Sequence, residues 1–416
     1  MNETSSSHSS GRSLKTRCCI VGGGPAGMML GYLLGRAGVE TIVLEKHADF
    51  LRDFRGDTVH PSTMRALDDL GLLQEFLQRH HQELARIGGD FGGVYLDVAD
   101  FGRLDVPARF IAMMPQWHFL DFLAEQGARL PSLHLLRRTE AIDLIHDGER
   151  VAGVIAQSPD GELRIQADLV IGCDGRHSVT RRCAGLVVED IGAPIDVLWF
   201  RVGRTQQAVA PAFLHAAEGG FLVTIDRGDY WQCAYVIAKG QSDAVRARGL
   251  DAFRDRIVDI VPALRPHIAD VGSWDDVKLL TVTIDRLKQW ARPGLLCIGD
   301  AAHAMSPVGG VGINLAVADA VATANLLGGK LQRGGVTLAD LGAVQARRLL
   351  PVRIIQALQV AVQDRIINPA LKGKPSPPAL LRLVDAVPWL QRFPAMLIGL
   401  GVRAERVRSP RATQGG

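Results

Sequence analysis

The sequence predicts an α/β fold in which a Rossmann-like dinucleotide-binding domain is interleaved with a β-sheet domain and followed by a helical C-terminal segment. Three observations predict it. First, a glycine-rich turn at 22–27 joins an apolar strand to a helix. Second, apolar strands near 172 and 298 end in loops that contain Asp. Third, two β-rich stretches interrupt these segments. The 416 residues, 47% apolar and 22% charged, suit a soluble protein of two or three folding units.

The α/β segments follow a polar, serine-rich tail, residues 1–16, which we expect to be flexible. The first strand, at 18–21, leads into a helix that starts at Pro25 and ends before Gly38. The other elements predicted for this domain are a strand at 41–44, helices at 61–71, 116–126 and 314–327, short strands within 133–172, and a buried strand at 295–298. Apolar strands of this kind are typical of a parallel sheet covered by helices.

Two stretches, 87–114 and 197–236, are rich in glycine, aromatic and β-branched residues, which predicts antiparallel strands. We therefore expect a second domain built from two insertions. The predicted boundaries are 17–88, 115–190 and 285–350 for the dinucleotide-binding domain, 89–114 and 191–284 for the β-rich substrate domain, and 351–416 for the helical C-terminal segment.

The glycine turn matches G-x-G-x-x-G between a strand and a helix. Gly22 permits the tight turn, Gly24 lets the backbone approach a pyrophosphate, and Gly27 lets helix and strand pack closely. The start of the helix offers unpaired N–H groups to the anion. Glu45 follows 18 residues after Gly27, at the end of the second strand, where a carboxylate accepts a hydrogen bond from a ribose hydroxyl.

Two later segments place polar residues after apolar strands. Asp174 and Gly175 follow one strand, Asp300 follows the strand at 295–298, and a glycine-rich stretch at 307–314 then leads into a helix. A carboxylate at a strand end can hold a sugar-alcohol hydroxyl. A glycine-rich helix start can bring backbone N–H groups to a polar ring edge.

Together, these three segments resemble those of the class A flavoprotein monooxygenases, the para-hydroxybenzoate hydroxylase group, over most of residues 17–330. The resemblance implies FAD as the cofactor. It implies that Gly22, Gly24, Gly27 and Glu45 bind the ADP half, with Pro25, Ala26 and Lys46 also assigned to the cofactor site. It further places Arg55 beside the cofactor and Gln116 at the diphosphate or ribityl chain. Asp174 is assigned to both FAD and nicotinamide, and Asp300 to the ribityl chain. The residues assigned to the isoalloxazine ring are Pro307, Gly310, Gly312, Ile313 and Asn314.

The same resemblance implies a reaction. NAD(P)H reduces FAD, O2 adds to the reduced flavin as a C4a-hydroperoxide, and the distal oxygen passes to the substrate. Because the cofactor carries this chemistry, Arg55 and Pro307 are predicted to shape the flavin environment, and no side-chain acid or base is assigned. The family default is an aromatic substrate, phenolic or polycyclic, and the apolar C-terminal segment mildly favours a lipophilic one.

The substrate is expected between the flavin and the β-rich insertions. The predicted lining residues are Arg201, Phe213, His215, Phe221 and Tyr235, with Trp199 and Tyr230 as further candidates. Ordinary sheet packing is the competing interpretation for each of them, because strand alternation puts only part of the set on one face.

Two other functions remain open. A related flavoprotein reductase or dehydrogenase would act on a lipophilic substrate without inserting oxygen; its halogenase variant is disfavoured because the sequence contains no W-x-W. A non-enzymatic dinucleotide-fold protein that chaperones lipid-modified partners would have no evident need for Asp300 or the glycines at 309–312. The enzymatic interpretations therefore come first.

Charge and cysteine usage limit the partners. The formal net charge is +3, but residues 345–416 carry 12 Lys or Arg against three Asp or Glu, so this end could face an anion, a membrane surface or only solvent. None of the six cysteines forms a C-x-x-C pair and no cluster has zinc spacing, so we expect no metal and a cytoplasmic location. We expect a small-molecule substrate, no nucleic acid and no spanning segment. Peripheral membrane contact and the choice between monomer and homodimer are left open.

Overall fold

The computed structural model describes residues 12–51, 58–204, 213–373, 375 and 377–412. Their strands form one sheet of eight strands, one of seven, and two smaller sheets. The mixed helix and sheet architecture, with a helical C-terminal segment, confirms the predicted fold class.

Twenty strands and twelve α-helices are formed by the described residues. The strands are β1 (Arg12–Val21), β2 (Thr41–Glu45), β3 (Thr58–Val59), β4 (Gln82–Leu84), β5 (Arg86–Phe91), β6 (Tyr95–Asp100), β7 (Ile111–Met113), β8 (Leu133–Arg137), β9 (Glu140–Asp147), β10 (Arg150–Ser158), β11 (Gly161–Gly172), β12 (Val188–Asp190), β13 (Ile195–Gly203), β14 (Leu214–Ala217), β15 (Gly220–Asp226), β16 (Tyr230–Ala238), β17 (Lys278–Leu280), β18 (Asp285–Leu287), β19 (Ala291–Arg292) and β20 (Leu295–Cys297). The helices are α1 (Pro25–Arg36), α2 (Pro61–Asp69), α3 (Leu73–Phe76), α4 (Gln116–Gly127), α5 (Val179–Cys183), α6 (Ser242–Ala247), α7 (Leu250–Ile260), α8 (Gly312–Arg333), α9 (Leu338–Val362), α10 (Asn368–Leu371), α11 (Ala379–Ala386) and α12 (Arg392–Gly399).

The eight-stranded sheet is the centre of the dinucleotide-binding half. Strands β20, β11, β1, β2 and β8 lie side by side in this order and run parallel, so their carboxyl ends meet at one edge. Strands β10 and β9 continue from β11 as an antiparallel meander, and β19 pairs with β20. The last four residues of β1 and all of β2 are buried, as expected for strands covered on both faces.

Helix α8 is the central helix that covers this sheet and packs against α1. Among the described residues, the segment Val308–Arg333 is the one long and apolar enough to cross a membrane by length and composition. However, 72% of its most apolar window is buried inside the protein. The apolar character of α8 is therefore explained by its place in the core.

The seven-stranded sheet combines both β-rich insertions, in the order β17-β13-β16-β15-β14-β5-β6. One side, here called the back face, presents Leu198, Phe200 and Tyr235 to helix α7. Phe253 of α7 contacts the rings of both aromatic residues, with centroids 5.3 and 5.9 Å apart. The opposite side, here called the front face, is therefore the side available to the rest of the protein.

The secondary structure differs from the expectation at three of the predicted boundaries, and the division into domains stays a prediction. Strand β1 begins at Arg12, so residues 12–16 belong to the sheet; they pair with β11 through the backbone while most of their side chains stay exposed, which hydropathy cannot reveal. Helix α9 runs through the predicted boundary at 350/351 with Pro351 inside it. No helix is formed by residues 400–412.

Helices α11 and α12 and the turn between them expose an apolar surface. Leu380, Leu383, Trp389, Phe393 and Met396 are each more than 40% exposed. The rings of Trp389 and Phe393 pack edge to face, with centroids 5.2 Å apart. The C-terminal segment is therefore amphipathic in the structure, as its sequence indicates.

Candidate functional site

The three motifs of the sequence lie next to one another at the carboxyl edge of the parallel sheet. In the register of the sheet, Val21 at the end of β1 is opposite Gly172 of β11, and Gly172 is opposite Cys297 of β20. The loops that carry Gly22, Asp174 and Asp300 therefore leave from adjacent strand ends. This edge is where open α/β sheets bind their ligands.

Gly22, Gly24 and Gly27 of the turn differ in the space that surrounds them. A β-carbon on Gly27 would overlap the carbonyl oxygen of Gly22, and one on Gly22, whose φ is +106°, would overlap the carbonyl oxygen of Cys173. A β-carbon on Gly24 would meet nothing within 4 Å. Packing thus requires Gly22 and Gly27, whereas the side of Gly24 is left open to a ligand.

Helix α1 starts at this turn with Gly24 as its N-cap and with no side-chain cap, so its first N–H groups point out of the helix end. Ala26 is buried beneath Gly299, which follows the end of β20, two strands away from β1. Glu45 is 8% exposed, and its carboxylate accepts hydrogen bonds from the backbone N–H groups of Gly23 (3.2 Å) and His47 (2.9 Å). The acid predicted for the ribose therefore lies directly against the glycine turn.

Lys46 and Gln116 lie at the periphery of this edge. Lys46 is exposed, with its Nζ 3.8 Å from the Glu140 carboxylate. Gln116 is the half-buried first residue of α4. Arg55, predicted beside the cofactor, lies outside the described residues. The roles predicted for these three residues stay predictions.

Asp174 has a structural role in its own loop. Its carboxylate accepts hydrogen bonds from the Ser178 hydroxyl (2.5 Å), from the Thr180 hydroxyl (2.8 Å) and from the Thr180 backbone N–H (3.0 Å). These bonds close the loop between β11 and α5, and Ser178 caps that helix. The predicted contact of Asp174 with FAD and nicotinamide stays a prediction.

Asp300 lies in a short 3-10 turn, Gly299–Ala301, directly after β20. Its side chain is 37% exposed, and its Oδ2 accepts a hydrogen bond from Arg176 Nε at 3.3 Å. The carboxylate is therefore accessible and lies next to the Arg176 guanidinium. Sequence reasoning missed Arg176, although its place two residues after Asp174 in a predicted cofactor loop was a usable signal.

The glycine-rich loop after Pro307 forms a tight turn, with φ values of +81° at Gly309 and +63° at Gly310. A β-carbon on Gly310 would lie 2.6 Å from Thr58 Oγ1, which donates a hydrogen bond to the Gly310 carbonyl. A β-carbon on Gly312 would meet nothing within 4 Å. Gly312 at the start of α8 therefore resembles Gly24 at the start of α1, because the space beside each glycine is not occupied by a described residue.

The side chains of Ile313 and Asn314 are buried, at 5% and 6% exposure. The Asn314 side-chain oxygen accepts hydrogen bonds from the His60 backbone N–H (3.1 Å) and the Thr63 hydroxyl (2.7 Å), which joins the starts of α8 and α2. Both side chains are thus enclosed by the protein, and the prediction that these two residues line a flavin stays a prediction.

Burial of His60 makes the stability of this region depend on pH. The ring is 0% exposed, its Nδ1 lies 2.8 Å from the Ile398 carbonyl, and burial lowers its pKa from 6.5 to about 4. Between these two values the unfolded chain binds a proton that the folded protein does not. We expect the free energy of unfolding to fall by roughly 3 kcal/mol as the pH is lowered through this window.

Urea unfolding of the apoprotein at pH 7.5, 6.0 and 5.0 measures this dependence. The variant His60→Gln should have a flatter pH profile, and His134→Gln, at a 57% exposed histidine, should keep the wild-type profile. A His60→Gln profile as steep as wild type would refute the assignment.

Side chains of the front face of the seven-stranded sheet share an apolar cluster with Val308 of the glycine-rich loop. They include Val197, Trp199, Leu214 and Val223, and Val308 is the residue after Pro307. The predicted substrate side of the sheet is therefore the front face.

The predicted substrate residues divide between the two faces. Phe213 and Phe221 belong to the apolar clusters of the front face. Arg201 follows Trp199 at strand spacing and has its guanidinium 5.0 Å from the Tyr230 ring centroid, toward the end of the sheet.

Tyr235 and His215 lie on the back face, and their predicted contact with the substrate stays a prediction. Tyr235 packs against α7 on the back face. His215 is paired with Leu222 of that same face and lies 2.9 Å from the Thr224 hydroxyl. Alternation along the strands directs both side chains away from the glycine-rich loop.

Comparison with known proteins agrees with this geometry. A family model described as FAD binding domain matches residues 15–352. The 6-methylpretetramide 4-monooxygenase of Streptomyces rimosus is 32% identical over 397 residues, which cover 95% of this chain and 94% of that protein. The chain belongs to the class A flavoprotein aromatic monooxygenases.

Solved structures of this family share the fold. The p-nitrophenol 4-monooxygenase of Pseudomonas putida DLL-E4 superposes with a TM-score of 0.76 at 20% identity, over 92% of this chain and 97% of that one. One relative has a name that denotes no oxygenation: the dialkyldecalin synthase of Streptomyces rugosporus is 25% identical over 325 residues, 73% of this chain and 63% of that protein.

The site fits FAD. The open sides of Gly24 and Gly312, the uncapped start of α1 and the accessible carboxylate of Asp300 lie at one sheet edge, and no described residue occupies the space beside the two glycines. A dinucleotide needs N–H donors for its pyrophosphate and carboxylates for its hydroxyl groups, and this edge supplies both.

Proposed function

We propose that this flavoprotein monooxygenase hydroxylates a polycyclic or phenolic aromatic compound, with NAD(P)H and O2 as co-substrates. The observation that carries the proposal is the apolar front face, where Trp199 belongs both to the cluster of Val308, in the loop of Pro307, and to the cluster of Phe213. A flat aromatic molecule matches such a surface, and the names of the relatives include enzymes of polycyclic and phenolic compounds.

The residues of this chain would bind and orient, while FAD supplies the redox and oxygen chemistry. Gly24 and the start of α1 would hold the pyrophosphate, Glu45 and Asp300 would accept hydrogen bonds from the ribose and ribityl hydroxyl groups, and the loop from Pro307 would face the ring. Trp199 would help to exclude water from the reacting centre.

Oxidation of NADPH and NADH by the purified FAD-loaded protein tests this function. Phenols and three- or four-ring phenolic compounds are added singly under 18O2, and the product mass is measured. We expect at least one compound to accelerate NAD(P)H oxidation about tenfold or more and to gain one 18O atom.

Two other outcomes would contradict the proposal. If the substrate is consumed and the product has the same mass, as in a cyclisation, a synthase function would be favoured, of the kind that the name dialkyldecalin synthase denotes. Reduction of a lipophilic compound without 18O in the product would favour the flavoprotein reductase.

A further inference from the structure

A buried group of charged residues lies beneath the loop that carries Asp300. Asp319 on α8 is 0% exposed, and Arg348 on α9 is 2% exposed. The Asp319 carboxylate accepts hydrogen bonds from the Gly299 backbone N–H (3.0 Å) and from Arg348 Nε (2.8 Å), and its Oδ2 lies 2.6 Å from His303 Nε2. Because Gly299 directly precedes Asp300, this carboxylate orients the peptide that presents Asp300.

The hydrogen bond to Gly299 has a clear energetic reason. Gly299 has a φ of +60° and is buried, and a buried N–H without an acceptor costs about 1–3 kcal/mol. Burial raises the pKa of Asp319, but the charges and hydrogen bonds of His303 and Arg348 outweigh burial and hold the pKa below its ordinary value. The acceptor is therefore ionised at neutral pH.

The same arginine contacts the end of the chain. We define the C-terminal strap as residues 401–412, which follow α12 without regular structure. Glu405 of the strap is 7% exposed and accepts two hydrogen bonds from Arg347, at 2.8 and 3.1 Å. Its Oε1 also lies 3.6 Å from Arg348 Nη1. A continuous series of charged contacts thus joins the strap to the Gly299 amide.

The strap has a second anchor that serves as an internal comparison. Arg406 Nε lies 2.9 Å from both carboxylate oxygens of Asp69 on α2, and the Val407 backbone N–H donates to the same carboxylate at 2.9 Å. Among the described hydrogen bonds and ion pairs, none joins this anchor to the charged group beneath Gly299.

We propose that Asp319 is a positioning residue for Asp300. Glu405 of the strap determines, through Arg348, where the Asp319 carboxylate lies. Among the described residues, neutralising Glu405 leaves Asp319 as the one anion in contact with the buried Arg348 cation, so Asp319 is drawn toward the arginine and away from the Gly299 amide. The strap thereby sets the affinity for FAD at a distance. This proposal rests on the proposed FAD site and is independent of whether oxygen is inserted.

Titration of the apoprotein with FAD, followed by quenching of flavin fluorescence, tests the proposal alongside urea unfolding. Glu405→Gln should raise the Kd for FAD at least fivefold, and Asp319→Asn at least tenfold. Asp69→Asn, which weakens the same strap at its other anchor, should destabilise the apoprotein comparably to Glu405→Gln and leave the Kd within twofold of wild type.

The double variant Glu405→Gln/Asp319→Asn distinguishes coupling between these two residues from a general destabilisation of the protein. Since Glu405 acts on the Gly299 amide only through Arg348 and Asp319, Glu405→Gln should add little to the effect of Asp319→Asn on the Kd. If Asp319→Asn does not fold, Arg348→Lys replaces it in the comparison of single and double variants. This substitution keeps the charge but loses the hydrogen bond from Arg348 Nε to Asp319. Equal Kd changes for Glu405→Gln and Asp69→Asn, or a fully additive double variant, would overturn the proposal.

Discussion

Replacing Gly24 by alanine is expected to raise the Kd for FAD at least tenfold while the apoprotein keeps its stability within about 1 kcal/mol. The backbone at Gly24, with φ of −73° and ψ of −175°, suits any residue, and the added methyl group meets no protein atom within 4 Å. The methyl group would instead occupy the space through which a pyrophosphate reaches the start of α1. Titration with FAD and urea unfolding of the same preparation measure the two effects.

Gly27→Ala is the matched counterpart, because the same methyl group placed three residues later overlaps the Gly22 carbonyl oxygen. We expect this variant to lose at least 1–3 kcal/mol of unfolding free energy even without FAD. Wild-type affinity for FAD in Gly24→Ala would remove the glycine turn from the proposed pyrophosphate site.

Replacing Asp300 by alanine is expected to raise the Kd for FAD by about 10- to 100-fold, since hydrogen bonds to a charged group contribute about 1.5–3 kcal/mol. The side chain is accessible and has Arg176 as its protein partner, so its removal leaves a hydrated arginine and not a cavity. Bound flavin per protein after purification and the Kd from titration are the measurements.

Asp168→Ala provides the control, because Asp168 is also half-exposed and also pairs with an arginine, Arg17, at 2.9 Å. It lies on β11, four residues before the end of that strand. This variant should retain wild-type flavin content. An Asp300→Ala protein with the same flavin content as wild type would disprove the ribityl assignment.

The cofactor edge was accessible to sequence reasoning because each feature there is encoded within a few residues. Gly22 and Gly27 must be glycine for steric reasons that depend on atoms of the same turn or the adjacent strand end, and an apolar strand followed by Asp300 marks a sheet edge. Such local requirements leave a pattern in the sequence whatever the rest of the fold does.

The face of the sheet on which each aromatic side chain lies could not be predicted from the sequence, for a physical reason. Tyr235 and Trp199 both belong to aromatic, strand-like segments, yet Tyr235 packs under α7 and Trp199 lies on the front face. Strand alternation separates the two faces, but only the helices packed against them decide which face is which. That choice depends on α7 and on the loop of Pro307, which lie far apart in the sequence.

By itself, the sequence determined the α/β class, the cofactor edge and the family, because glycine positions, strand ends and short spacings are local consequences of backbone geometry. Only the tertiary structure decided which face of the second sheet meets the cofactor loop and that Glu405 connects through Arg348 to Asp319 beneath Gly299. Glu405 and Gly299 are more than 100 residues apart, and their connection depends on burial that removes water from charged groups. A one-dimensional pattern cannot show such burial, because the same residues on a surface would be solvated.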